Sequence, residues 1–178
     1  MSQLLAPPAT VPTEEVLAEG RKRLDDLGID LTALATAALA NYARVADFSS
    51  TNALHYYGKL GYDEAAASSL HELIKRYVAL AAAWKSLGLP GYLSLPERVD
   101  SDGWHGFIIQ TRDYQALSDR LGQFVHHATT EAPQDDAVTV TFAAMAAVYG
   151  LLSPDLWEDC PGCIIYGWCS SSSGPTAT

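Results

Sequence analysis

Asp63 to Leu87 reads DEAAASSLHELIKRYVALAAAWKSL, and the period of its apolar residues decides the fold. Leu70, Leu73, Ile74, Tyr77, Leu80, Ala81, Trp84 and Leu87 fall at spacings of three and four, the repeat of one helical face. Gly88 and Pro90 end the run. A helix this long and this apolar predicts the central scaffold of the domain.

Upstream, Ser49 to Asn52 predicts a loop, followed by a short helical turn through Leu54 and Tyr57. Asp30 caps a run in which Leu31, Leu34, Ala35, Ala38 and Tyr42 share a stripe, with alanines small enough for a neighbouring helix to come close. Before it, Thr13 can cap a first helix with Glu14 and Glu15 in its opening turn, where the helix dipole favours acids. Val16, Leu17, Gly20, Leu24 and Leu27 form its face, and Gly28 stops it. Residues 1–12 contain Pro7, Pro8 and Pro12 without any period and predict a flexible arm.

Downstream, Gly91 to Val99 is a connector containing Pro96. Asp100, Ser101 or Asp102 can cap a helix that aligns Trp104, Phe107, Ile108 and Thr111. Thr111 or Asp113 starts the next, whose buried face is expected to be Tyr114, Leu117, Leu121, Phe124 and Val125, with Gly122 loosening it. After a polar connector from Thr129 to Asp136, Val138, Phe142, Met145 and Tyr149 repeat in steps of four and three up to Gly150. The β-branched VTVTF start of that run has no strand-like partner elsewhere in the chain, so a helix is expected. Ser153-Pro154-Asp155 opens a short turn through Trp157. The composition then changes to a Cys/Ser/Gly tail, CPGCIIYGWCSSSSGPTAT. The expected architecture is therefore all-α, a single helical domain of five to seven helices over residues 13–158, with an arm at 1–12 and a tail at 159–178.

With 178 residues, 48% of them hydrophobic, the chain can bury one real core. A formal charge of -10, with no basic cluster beyond Arg21-Lys22-Arg23, argues against nucleic acid or anionic membrane as partner. No apolar run approaches the length of a membrane span, and Met1 to Thr13 lacks the charged start and apolar stretch of a signal peptide, so a cytoplasmic location is expected. In a reducing compartment the three cysteines Cys160, Cys163 and Cys169 point away from a disulfide framework.

Chemistry-bearing residues gather in two places. Val99 to His127 holds three of the five histidines, His105, His126 and His127. His105 reads either as a partly buried side chain donating a ring N–H to a backbone carbonyl, or as a ligand or general base. His126 and His127 are adjacent, so a continuing helix separates them by about 100° and at most one is expected to join a site. His55 and His71 are read as structural. In the tail, Cys160-Pro161-Gly162-Cys163 can grip one zinc or iron ion at about 2.3 Å, with Cys169 as a third ligand and His105, His126 or His127 completing a tetrahedron. Redox chemistry of the thioredoxin kind would need a preceding strand, which the pattern lacks.

VDSDGWH, TRDY and FVHH, together with the YVALAAAWKSLGLPG helix and Leu95-Pro96, resemble the glycine-rich domain-containing protein family of plants and bacteria over about residues 70–157. The positions that carry the resemblance are Val99, Asp100, Trp104, His105, Thr111, Tyr114, Phe124, His126 and His127. In plant relatives a second His follows the Trp-His pair by one residue, where this chain has Phe107. Some bacterial relatives end in a Cys-bearing tail. The resemblance implies an all-helical fold more firmly than a function.

No Gly-x-Ser-x-Gly, phosphate-cradling loop or His-Glu-x-x-His occurs, and the paired acids Asp25-Asp26 and Asp135-Asp136 sit at helix ends or connectors where solvation explains them. The expectation is a non-enzymatic protein that binds a zinc-like metal through tail cysteines and nearby histidines. Two alternatives stand beside it. One is a precursor peptide whose folded leader carries a Cys/Ser core for a tail-modifying enzyme, and the other a metal-free module that binds a protein partner.

Overall fold

The computed structural model describes residues 14–96, 99–127 and 135–150. The arm, the Thr13 cap, the turn at Ser153 to Trp157 and the tail lie outside them. Seven α-helices and no strand occupy the described residues: α1 (Glu14–Asp26), α2 (Leu31–Val45), α3 (Thr51–Lys59), α4 (Glu64–Ser86), α5 (Gly106–Ile108), α6 (Thr111–Leu121) and α7 (Asp135–Tyr149). A single π-helical turn, Val99–His105, leads directly into α5. None of the described helices is long and apolar enough to cross a membrane.

α4 is the scaffold the apolar period predicts. Leu70, Leu73, Ile74, Tyr77, Val78, Leu80 and Trp84 are buried on it, and so are Ala66, Ala67, Ala79, Ala82 and Ala83 between them. A helix covered on almost every side must be apolar on almost every side. α2 packs along it, α3 and the π turn also lie against it, and α7 packs on α2 and touches α4 as well. The ends of α4 are closed chemically. The Asp63 carboxylate accepts the Ala66 N–H at 2.8 Å, while Gly88 adopts a positive φ of 63° so that Leu89 N–H can reach back to the Trp84 carbonyl at 3.1 Å.

One cation is carried inside this apolar surface. Lys75 donates to the Ala46 carbonyl at 2.7 Å and pairs with Glu72 at 2.8 Å, so its buried ammonium is both neutralised and hydrogen-bonded. Burial alone would raise the Glu72 carboxyl, but hydrogen bonds from Lys75 and Tyr42 hold it below its ordinary value.

α1 makes its main contacts with α7. Leu17, Gly20 and Leu24 form the buried face, whereas Leu27, expected there, falls after the last helical turn and is exposed. At Gly20 the helices cross so closely that a Cβ would lie 2.5 Å from the Thr139 carbonyl oxygen and 2.6 Å from the Ala143 Cβ.

Three local expectations are corrected. Ser49 to Asn52 is no simple loop: Ser50 is an N-cap whose hydroxyl accepts the Ala53 N–H at 3.0 Å, and α3 begins at Thr51. The helix expected to align Trp104 with Thr111 is a π turn followed by the three residues of α5, and Thr111 is exposed at the start of α6. α6 stops at Leu121, because Gly122 takes the left-handed conformation at φ 77° and turns the chain out of the helix. Residues 123–127 leave it without helical structure. Val125 is buried there, but Phe124, expected on the buried face, is 36% exposed.

Gly20→Ala tests the α1–α7 crossing. Alanine gains about 1 kcal/mol of helix propensity, but the clash should cost about 1–3 kcal/mol and outweigh it. Urea denaturation should show a lower midpoint than wild type, and an unchanged or higher midpoint would mean the helices do not cross at Gly20.

Candidate metal centre

The π turn is shaped by what it must lie against. A Cβ on Gly103 would come within 2.9 Å of the Leu70 and Ile74 Cδ1 atoms of α4, and one on Gly106 within 2.6 Å of the Tyr56 ring of α3. Two glycines thus let backbone press onto side chains of both helices. The turn is then tied down by polar groups. Tyr57 donates its hydroxyl to the Gly103 carbonyl at 2.9 Å, Tyr62 donates to the Asp102 carboxylate at 2.8 Å, and the Asp100 N–H donates to the Pro96 carbonyl at 2.9 Å.

In an α-helix, residues five apart point about 140° away from each other. A π turn closes on the fifth residue, so Asp100 and His105 come together. His105 Nδ1 lies 3.0 Å from the Asp100 backbone oxygen and 3.3 Å from its Oδ2. The third member arrives from the chain beyond α6. Residues 125, 126 and 127 alternate between buried, exposed and half-buried. His127 thereby turns inward, with Nε2 at 3.2 and 3.1 Å from the two carboxylate oxygens of Asp100. His126 points the other way, exposed, its ring 4.7 Å from that of Phe124.

The His105 and His127 rings are 4.2 Å apart. Behind them Trp104 meets His127 edge-on at 4.7 Å and Tyr77 at 4.9 Å, forming an apolar wall. Trp104 Nε1 is buried with no partner in hydrogen-bond geometry, although the indole lies close enough to Tyr114 to pull down a phenol that burial pushes up to about 12. Tyr114 itself donates to the Val125 carbonyl at 2.5 Å and so holds the chain that carries His127. Burial, with the Asp100 charge nearby, raises the Tyr77 phenol well above its ordinary value.

Donor atoms of Asp100, His105 and His127 all lie within 4.8 Å of one another. Ligands about 2.1 Å from a tetrahedral ion are about 3.4 Å apart, and the carboxylate-to-imidazole separations of 3.1 and 3.3 Å already match that spacing. Two imidazoles and a carboxylate suit a borderline divalent ion such as zinc. Without an ion, a carboxylate can only accept, so an imidazole nitrogen bonded to it must carry hydrogen. Binding an ion at those nitrogens would displace these protons.

Of the residues singled out in the sequence, His105 and His127 meet here and His126 does not. Cys160, Cys163 and Cys169 lie outside the described residues. His55 is exposed on α3, and His71 is buried under Phe107. Asp100 is the candidate donor that sequence reasoning passed over as a helix cap. Its signal was the spacing of five to His105, which has meaning only in a π turn.

Trp104→Ala should cost about 3–5 kcal/mol, because it empties a buried aromatic site, while His105→Ala, whose side chain is 45% exposed, should cost less than about 1 kcal/mol. Equal losses in denaturation experiments would make His105 a packing residue instead. No family model matches the chain, and no curated protein or solved structure matches it either.

Proposed function

We propose that this chain is a non-enzymatic cytoplasmic protein that binds one zinc-like divalent ion through Asp100, His105 and His127, with thiolates of Cys160, Cys163 or Cys169 supplying further coordination. The observation that carries the reading is the convergence of a carboxylate and two imidazoles within 4.8 Å. Three donors leave a tetrahedral ion one position short, and a thiolate is a strong zinc ligand for that position. The likeness to glycine-rich domain-containing proteins belongs to the same proposal. Asp100, His105 and His127 each stand in one of the motifs that carry that likeness, and distant motifs that meet around one point are economically explained by a shared ligand. The metal's part is to cross-link the π turn to the segment after α6, two stretches held otherwise by tyrosine hydroxyls.

The test is metal content by elemental analysis of the full chain, made without a polyhistidine tag, stripped with chelator and dialysed against zinc. One zinc per chain is expected. Asp100→Asn and His127→Gln should each weaken zinc binding by more than the roughly 10–100-fold typical of an outer-shell change. Replacing the three cysteines by serine should weaken it while leaving the Asp100–His105–His127 contribution measurable. No stoichiometric zinc in the wild-type chain would overturn the reading.

A further inference from the structure

His71 is only 4% exposed, and both of its ring nitrogens are buried without a hydrogen-bond partner. Around it stand three aromatic rings: Phe107 at 5.1 Å, and Phe48 and Tyr57 at 6.4 Å. A neutral imidazole has one donor and one acceptor, and leaving both unpaired in an apolar box is costly. Phenylalanine or leucine would fill such a box without that cost. What histidine adds is a ring that takes up a proton in water at about pH 6.5 and resists doing so when buried.

Two walls of the box lead to the candidate metal centre. Phe107 belongs to α5, which continues the π turn without a break. Tyr57 donates its hydroxyl to the Gly103 carbonyl inside that turn. His71 itself is on α4, the helix against which Gly103 is pressed. Any displacement between His71 and its box therefore moves the backbone that carries Asp100 and His105.

We infer that His71 is a proton-operated latch: uncharged, it lets the box close and seat the 99–108 segment on α4, and protonated, it releases that segment. The charged and titratable groups that face it are Lys75 and Glu72 on its own helix, Asp113 on α6 and the Tyr57 phenol on α3, with Arg120 on Phe48 at the rim. Burial, and then the Lys75 ammonium, lower the imidazole from 6.5 to about 4 against the opposing pull of Glu72 and Asp113. Asp113 is already engaged by Ser50 and Asn52, and Glu72 by Lys75, Arg76 and Tyr42, so neither carboxylate is committed to His71.

The direction follows from linkage. The closed state holds His71 at a lower pKa than the open one, so the open state binds more protons between about pH 4 and 6.5. Closure weakens as pH falls through 6.5 and stops weakening below about 4, where both states are protonated. The latch stands on the metal-free geometry. Its effect on a bound ion, loosening Asp100 and His105 together, rests in addition on the metal-centre reading.

The experiment is hydrogen exchange by mass spectrometry on the full chain in chelator, at pH 6.5 and 4.5, corrected for the intrinsic pH dependence of exchange. Peptides covering 99–108 should lose protection by roughly tenfold or more at the lower pH, while α1 and α7 keep theirs. His71→Phe and His71→Leu should keep 99–108 protected at both values. The latch is wrong if these variants open as the wild type does, if wild-type 99–108 stays closed, or if all helices open together. Should neither variant fold, the wild-type His71 ring resonance decides the matter: a midpoint near 4 supports the latch, and one at 6.5 or above overturns it. Zinc content plays no part in this readout, so a failure of the metal reading leaves it intact.

Discussion

At residue 103 the backbone lies so near α4 that there is no room for a methyl group, and much of the described architecture around the candidate site depends on this contact. Leu70 and Ile74 can be buried only if something covers them, and here the cover is main chain. Backbone brought into an apolar setting must have its polar groups satisfied. Tyr57 supplies a hydroxyl to the Gly103 carbonyl, and Tyr62 and Pro96 fasten the turn on either side. The wide turn that results places a carboxylate beneath an imidazole five residues later. A packing requirement on α4 and the geometry of a chemical group are, at this point, the same fact.

The outline of the fold was legible because it is written in the helical period. Asp63 to Leu87, the Asp30 cap with its alanine stripe, and the run up to Tyr149 all carry local signals that tertiary packing reinforces. What the pattern concealed were the departures from α geometry. VDSDGWH has acids at its start and an aromatic where a helix wants one, and no propensity separates a π turn from an α turn in such a stretch. Gly122 could be seen as a weak point of a helix, but that it ends α6 follows from the left-handed conformation it adopts there. Each of these departures moved a site residue. The first joined Asp100 to His105, and the second turned His127 inward and left His126 exposed.

Two buried bases on α4, four residues apart, show opposite treatments of the same difficulty. Lys75 enters the interior with a carbonyl and a carboxylate waiting for it. His71 enters with neither, walled by rings. In the first arrangement a hydrogen bond and an ion pair offset the cost of the buried charge. The second disfavours the charged form. Their closeness sharpens the contrast, since the fixed Lys75 ammonium adds to the penalty on a second positive charge nearby.

The pairing of α1 with α7 has a bearing on how the chain is made. Roughly 120 residues separate Gly20 from Ala143, and a ribosome adds about 5–20 residues per second. The Leu17, Gly20 and Leu24 face of α1 therefore emerges at least several seconds before the surface that buries it exists. In the interval α2 to α6, whose contacts are mutual, can assemble around α4. The first described helix to be synthesised thus docks among the last, and until it does the nascent chain presents an apolar stripe that a chaperone, or a second copy of the chain, is free to meet.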